Sequence, residues 1–239
     1  MSLPSAVVDV FKQEKTADNI QRRLETLLAR ESHIENIATW VQIFNSSDTL
    51  GKFYDNAPHI RGRAGEMITK YIILHLQSVS KSLKNSKLYH SFHYNGTEQD
   101  ILLLTDRCIY LIEVKAKKAD NYKDMSTGQG KKGISQNDMH KERFDKFLEQ
   151  TLKYKYAVPI ETYLVYVMSK NKDKAEIIDG TTLLPAQRLF KQLCESYYKV
   201  NKNNSIRDFD YLLHLFEGYV KSGSEKAEES AHKRRLGYE

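Results

Sequence analysis

The chain of 239 residues contains only two cysteines, Cys108 and Cys194, which stand far apart in apolar surroundings. Two distant cysteines exclude a scaffold held together by several disulfides, and by themselves they cannot form a zinc site. We therefore expect both residues to be buried free thiols, which is typical of a protein in a reducing compartment.

Long apolar segments are also missing, since no run is long enough to span a bilayer. The N-terminal residues MSLPSAVVDVFK lack the basic start, apolar core and cleavage site of a secretory signal. Internal repeats, a glycine-rich phosphate loop and a Gly-x-Ser-x-Gly elbow are absent as well. The lack of a membrane-spanning run and of a secretory signal predicts a cytoplasmic protein that does not bind membranes.

The composition is that of an ordinary globular protein, with 40% hydrophobic and 28% charged residues. Its formal net charge of +6 is compatible with a polyanionic partner. A mildly basic balance is common, however, and does not identify a partner by itself.

The most informative stretch is 97–118, TEQDILLLTDRCIYLIEVKAKK. Its content of Leu, Ile, Val and Tyr predicts two strands, 99–105 and 108–116, with a turn at Asp106-Arg107. A symmetric two-residue turn would pair Leu102 with Leu111 and Asp100 with Glu113. A three-residue loop would break this register, and Asp-Arg is not a strong turn signal.

Three charged residues interrupt this apolar hairpin, namely Asp100, Glu113 and Lys115. Side chains alternate along a strand, so Glu113 and Lys115 should share a face, and the register adds Asp100 to it. Neighbouring carboxylates repel each other, and Mg²⁺ is a common compensation because it prefers oxygen ligands. The alternative is a cross-strand salt bridge on a solvated face, which the apolar neighbours disfavour.

At these residues the sequence resembles a known family. The pattern Glu-Gln-Asp followed by Ile-Glu-Val-Lys, ending at Asp100 and Lys115, resembles the PD-(D/E)XK nuclease superfamily. With Gly65-Glu66 on a preceding helix, it is most similar to the nuclease-related (NERD) branch over about residues 61–170. The chain departs from the superfamily pattern at Gln99, which stands where a proline would be.

This resemblance implies a metal-dependent nuclease that hydrolyses phosphodiester bonds of DNA, or of RNA as the less favoured substrate. Asp100, Glu113 and Glu66 would bind Mg²⁺ or Mn²⁺, and Lys115 would complete the catalytic set. Antiphage defence, mobile-element biology and DNA repair are all compatible settings. The alternative is a catalytically inactive nuclease-like fold that acts as a nucleic-acid-binding or assembly module, and a protein partner or oligomer stays open. A weaker third hypothesis is a structural hairpin in an unrelated α/β protein.

Several residues around the motif are candidates for contacts with nucleic acid. Arg61 and Arg63 flank Gly62 just before the predicted helix, where they could hold a phosphate near its N-terminus, although surface arginines are common. The resemblance makes Gln136, near the start of a later helix, a further candidate, with Asn137 and Asp138 as competitors. The set of candidates is Arg61, Arg63, Lys117, Lys118 and Gln136.

The order of predicted elements defines the fold class. A helix over 63–83, a strand over 87–94, the hairpin, a helix over 135–156 and a strand over 161–168 predict an α/β fold. We expect a restriction-endonuclease-like mixed central sheet (αβββαβ core) flanked by helices. Alternation in the first strand would place Leu88, His90, Phe92 and Tyr94 on one face.

The remaining segments complete the predicted domain organisation. Residues 1–48 form an N-terminal helical extension, residues 60–220 the nuclease-like domain, and residues 221–239 a mobile charged tail. Within the domain, residues 119–133 form a mobile loop. Additional helices begin near Thr182 and at Ser205, the second with a capping box completed by Asp208.

Overall fold

The structure, a computed structural model, describes residues 40–45, 57–81, 83–116, 129–167, 175–200 and 205–235. Its helices are α1 (Ala57–Val79), α2 (Gln129–Lys146), α3 (Ala186–Lys199) and α4 (Phe209–Arg235), and a π-helical turn, Phe147–Thr151, extends α2. Its strands are β1 (Lys87–Tyr94), β2 (Thr97–Leu104), β3 (Ile109–Lys115), β4 (Ile160–Tyr166), β5 (Glu176–Ile178) and β6 (Thr181–Pro185). A further helical segment covers residues 40–45.

The six strands form one mixed sheet in the order β1-β2-β3-β4-β6-β5. The pairs β1–β2, β2–β3 and β5–β6 are antiparallel, whereas β4 lies parallel to β3 and to β6. A parallel neighbour requires a crossover connection, and α2 lies in the connection between β3 and β4. The predicted αβββαβ core within a restriction-endonuclease-like α/β fold is therefore confirmed.

Both predicted hairpins are present. Asn95 and Gly96 join β1 to β2 with φ values of 45° and 71°, the left-handed pair that a tight hairpin turn requires. Between β2 and β3, Leu102 pairs with Leu111, so the register predicted from a two-residue turn is confirmed.

Two hydrophobic cores cover the two faces of the sheet. Because side chains of a strand alternate between faces, Tyr110 and Ile112 of β3 enter one core, and Ile109 and Leu111 enter the other. We call the first the α1 core and the second the α2 core. The helices bury Met67, Ile73, Leu76, Leu189 and Leu193 in the α1 core, and Phe144, Phe147, Leu212 and Phe216 in the α2 core.

The two faces exchange within β1, which contradicts the predicted alternation. Leu88 packs against the α1 core, whereas Phe92 and Tyr94 lie in the α2 core. The cause is Ser91, whose φ of 51° is a left-handed conformation that few residues adopt. The pairing of β1 with β2 is interrupted at Ser91 and at Asp100 opposite to it. The backbone distortion therefore adjoins one of the predicted site residues.

Other boundaries differ from those predicted. The helix α1 begins six residues before position 63, and α2 begins at Gln129, so Ser135 to Asp138 do not cap its start. The helix expected near Thr182 begins at Ala186, because residues 181–185 are buried and complete the sheet as β6. The last helix begins at Phe209, directly after Asp208, which therefore lies outside it.

Some predictions fall partly or wholly outside the described residues. In the N-terminal extension only 40–45 is described; it is helical and buries Trp40, Ile43 and Phe44. Residues 129–133 of the expected loop are helical, whereas 117–128 with Lys117 and Lys118 lie outside. Helix α4 continues through Arg235, and the mobility of 221–239 stays a prediction.

Both cysteines are free thiols, as expected, although Cys194 is only partly buried. None of the helices that the structure describes is long and apolar enough to cross a membrane.

Candidate active site

The site lies where β2 and β3 separate. The last paired residues are Ile101 and Ile112. Beyond this pair, the Asp100 carboxylate, rather than the main chain of β2, accepts a hydrogen bond from β3. Its Oδ2 accepts the backbone N–H of Val114 at 2.7 Å, a bond that a carbonyl of β2 would accept if the ladder continued. The main chain of β3 therefore fixes the position of this carboxylate beside Glu113.

Glu113 and Lys115 lie on one side of β3, as the alternation of the strand requires. Lys115 Nζ donates to Glu113 Oε1 at 2.7 Å and to Gln136 Oε1 of α2 at 3.3 Å. Glu113 is only 4% exposed, and its Oε2 has no hydrogen-bond partner among the residues that the structure describes. A buried carboxylate oxygen without a partner is costly, so this atom is poised to accept a ligand.

Negative charge is concentrated around Asp100. Its pKa is raised well above the usual range, first by burial and then by the carboxylates of Glu113 and Glu66. The Val114 N–H and the Lys115 ammonium oppose this shift without cancelling it. The fold has thus gathered carboxylates whose mutual repulsion the described neighbours do not offset.

Glu66 reaches this region because α1 approaches the sheet closely at Gly65. A Cβ atom at Gly65 would lie 3.3 Å from Val167 Cγ2 and 3.5 Å from Val114 Cγ1, so larger residues would push the helix away. Glu66 Oε2 accepts from Arg63 Nη1 at 3.0 Å and lies 3.1 Å from His90 Nε2. Glu66 therefore contributes charge to the site while one of its oxygens is held by two other side chains.

The residues predicted to contact nucleic acid are placed differently from one another. Arg63 binds Glu66 and also donates to Ser91 Oγ at 3.3 Å, whereas the guanidinium of Arg61 lies over the Phe44 ring at 5.6 Å. Gln136 lies inside the site through Lys115. Arg63 and Gln136 are thus joined to the charged cluster, while Arg61 contacts the α1 core.

A second polar layer lies behind Glu113, and its His140 is a residue that sequence reasoning missed. Gln99, Asn137 and His140 are all buried, and His140 Nδ1 lies 3.3 Å from Gln99 Oε1 and 3.9 Å from Glu113 Oε2. Burial lowers the pKa of His140, although Glu113 opposes that shift. The available signal was the spacing of His140 four residues after Gln136, which places both on one face of α2.

The donor set suits a hard divalent cation. Within the described ranges, no group of three His, Cys, Asp or Glu side chains is arranged as a complete metal centre. Magnesium, however, is usually held by one or two carboxylates together with water and substrate phosphates. Asp100 and Glu113, with the unpartnered Oε2 of Glu113, fit that requirement.

Comparison with known families agrees with this arrangement. The family model described as nuclease-related domain (NERD) matches residues 61–167, a little under half of the chain, and confirms the resemblance inferred from sequence. The match includes Glu66, Asp100, Glu113, Lys115 and Gln136. No curated protein and no solved structure matches the chain significantly.

Proposed function

With a nuclease-related domain matched over residues 61–167, we propose that this protein is a metal-dependent nuclease that hydrolyses phosphodiester bonds. The observation that carries the proposal is Glu113, a buried carboxylate with one oxygen on Lys115 and the other unpartnered, beside an Asp100 of raised pKa. A structural salt bridge needs neither the additional carboxylates nor their burial. Neighbouring carboxylates with an oxygen that lacks a partner among the described residues are instead the ligands that a hard divalent cation takes.

Asp100 and Glu113 would hold Mg²⁺ or Mn²⁺, and Glu66 would complete the carboxylate set. When bound, the metal supplies a water of lowered pKa and offsets the charge that develops on the phosphate. The protein contributes the fixed positions of the carboxylates, because the Val114 N–H holds Asp100 and the Lys115 ammonium holds Glu113.

Lys115 has a role of its own in this proposal. An ammonium carries three N–H donors, and Glu113 and Gln136 accept two of them. The third can donate to the attacking water or to a phosphate oxygen. Since the side chain is 29% exposed, a substrate can reach it. Gln136 would keep the ammonium directed toward the site.

The substrate would be nucleic acid, with DNA favoured over RNA, in a cytoplasmic setting. Contacts from lysine and arginine to backbone phosphates carry little sequence information, so low sequence specificity is expected. Antiphage defence, mobile-element biology and DNA repair are the proposed biological settings.

The deciding experiment incubates the purified full chain with labelled single- and double-stranded DNA and RNA, in Mg²⁺, Mn²⁺ or EDTA. We expect cleavage that requires the metal and is lost in Glu113→Ala. Binding without cleavage in every metal would favour the inactive module instead, and neither binding nor cleavage would contradict both functions.

A further inference from the structure

The buried polar layer behind Glu113, formed by Gln99, Asn137 and His140, has no part in the chemistry proposed above. We infer that His140 is a positioning residue that holds Glu113 from the side opposite Lys115. Lys115 Nζ donates to Oε1 of this carboxylate at 2.7 Å, and His140 Nδ1 lies 3.9 Å from Oε2. The inference rests on the proposed function, since it concerns the same Glu113 carboxylate.

The proton on the imidazole has a defined place. A neutral imidazole carries one N–H. Two groups lie near Nδ1, the side-chain oxygen Oε1 of Gln99 and the Glu113 carboxylate, and both are acceptors. The proton therefore belongs on Nδ1. With an unprotonated Nδ1, lone pairs would face the carboxylate in a buried setting, which is costly.

The backbone that carries His140 is fixed independently of Glu113. Tyr94 Oη donates to the His140 carbonyl oxygen at 3.1 Å, and Arg143 Nη1 donates to Thr97 Oγ1 at 2.8 Å. One turn earlier, Asn137 Nδ2 donates to the Tyr163 carbonyl oxygen at 3.2 Å. These bonds join α2 to β1, β2 and β4, so the imidazole is presented to Glu113 by a rigid part of the fold.

A packing role alone does not account for this layer. A histidine that only fills a core should leave its polar neighbours satisfied, yet Glu113 Oε2 and Gln99 Nε2 are buried without partners among the described residues. A shift of about 1 Å would bring Nδ1 into hydrogen-bond range of Oε2. The Nδ1–H would use one lone pair of Oε2 and leave the other for a cation, so the carboxylate would be held at both oxygens with its plane fixed.

The test uses the full-length protein and two substitutions of His140. His140→Leu keeps the volume and removes the donor, whereas His140→Gln restores a donor. Tyr94→Phe is the matched control: it removes a hydrogen bond to the same residue and leaves Glu113 untouched, while the Arg143 and Asn137 bonds still fix the α2 backbone. Mn²⁺ affinity is measured by calorimetry and folding by the melting temperature. The imidazole tautomer is read from ¹⁵N shifts in wild type and in Glu113→Gln.

We expect His140→Leu to weaken Mn²⁺ binding by roughly 10–100-fold, as is usual for a residue that supports a metal ligand. His140→Gln should recover most of that loss, and Tyr94→Phe should bind Mn²⁺ like wild type. Wild-type His140 should be protonated at Nδ1, with a shift that changes in Glu113→Gln.

Unchanged Mn²⁺ affinity in a folded His140→Leu variant would overturn the inference while leaving the proposed function standing. An imidazole protonated at Nε2 would also overturn it, even if His140→Leu does not fold. A wild-type protein that binds no Mn²⁺ contradicts the proposed function instead. In that case the tautomer and its response to Glu113→Gln still decide whether His140 holds Glu113.

Discussion

The two ends of the β2–β3 hairpin differ in whether their charged side chains have partners. At the turn, Tyr197 Oη donates to Asp106 Oδ1 at 2.8 Å, and Arg107 Nη1 donates to the carbonyl oxygens of Tyr197 and Val200 at 3.1 and 3.4 Å. The Arg107 guanidinium also lies 4.4 Å from the centre of the Tyr197 ring. Each charge at this end has partners, and together they tie the turn to α3.

We call the turn with Asp106 and Arg107 the closed end of the hairpin, and the end with Asp100, Glu113 and Lys115 the open end. At the open end the charged groups are not all paired. Burial, followed by the carboxylates of Glu113 and Glu66, raises the pKa of Asp100, and one buried oxygen of Glu113 has no partner among the described residues. The two ends belong to the same pair of strands, so strand propensity does not explain the contrast. The difference is that the fold supplies partners for the charges at the turn and leaves a carboxylate oxygen of Glu113 without one among the described residues.

The largest effect should come from Lys115→Ala, which tests whether the open end is chemical. Loss of one preorganised electrostatic group typically costs on the order of 10²–10³ in rate. We therefore expect cleavage to fall by that factor in a folded protein whose melting temperature is lowered, because the buried Glu113 carboxylate loses its ion-pair partner. Cleavage rates measured at saturating Mn²⁺ on a labelled DNA substrate provide the check.

Arg107→Ala at the closed end is the control for that measurement, because it removes a cation of the same hairpin that has only structural partners. It should cleave at the wild-type rate. If Lys115→Ala also cleaved at the wild-type rate, Lys115 would have no catalytic role, and both ends of the hairpin would carry structural charges only.

The second effect concerns metal binding. A ligand that binds only the native state adds RT ln(1 + [L]/Kd), about 2.7 kcal/mol at a hundredfold excess over Kd. For a domain of this size that corresponds to a rise in Tm of roughly 5–10 °C. Melting scans in Mg²⁺, Mn²⁺ and EDTA should show the rise in wild type and in Arg107→Ala, but not in Glu113→Ala. Identical midpoints in all three conditions would argue against a metal at the open end.

Much of this arrangement could be predicted because it depends on local rules. Alternation and a two-residue turn were enough to pair Leu102 with Leu111 and to place Lys115 beside Glu113. The helix–strand order and the Asn95-Gly96 turn likewise follow from neighbouring residues.

The remainder depends on contacts between distant parts of the chain. The left-handed Ser91 was missed because serine rarely adopts that conformation, and nothing in KLYHSFHY signals an exchange of faces. His140 was missed because its partners Gln99 and Glu113 come from strands far along the chain. The predicted helix start near Thr182 is wrong because the role of residues 181–185 as a strand depends on pairing with β4, which local sequence does not show.

The third effect is structural and is confined to the closed end. Arg107→Ala removes two hydrogen bonds to carbonyl oxygens and the contact with the Tyr197 ring. Because Arg107 is only partly buried, we expect a loss of roughly 1–2 kcal/mol in the free energy of unfolding. Denaturant titration measures it, and a loss below the error of the titration would show that these partners contribute no net stability.

The effect with the shallowest slope is a dependence of stability on pH, read in EDTA. The folded-state pKa of Asp100 lies above its unfolded value of about 3.9, so between the two values the native state binds more protons. Stability should therefore fall as pH rises through that window, by at most about 1.4 kcal/mol per pH unit for one proton. Above the folded pKa the full penalty persists, because Asp100 is then ionised in a buried position beside Glu113 and Glu66.

Asp100→Asn removes the titrating group and keeps the size of the side chain. The difference in unfolding free energy between Asp100→Asn and wild type should thus grow from about pH 4 upward and then level off. Lys115→Ala should enlarge the wild-type penalty, because the ammonium favours the ionised form of Asp100. Parallel stability curves for wild type and Asp100→Asn would mean that neither burial nor the neighbouring carboxylates raise the pKa of Asp100 in the folded protein. The charge of Asp100 would then be as well compensated as that of Asp106, and the difference between the two ends of the hairpin would disappear.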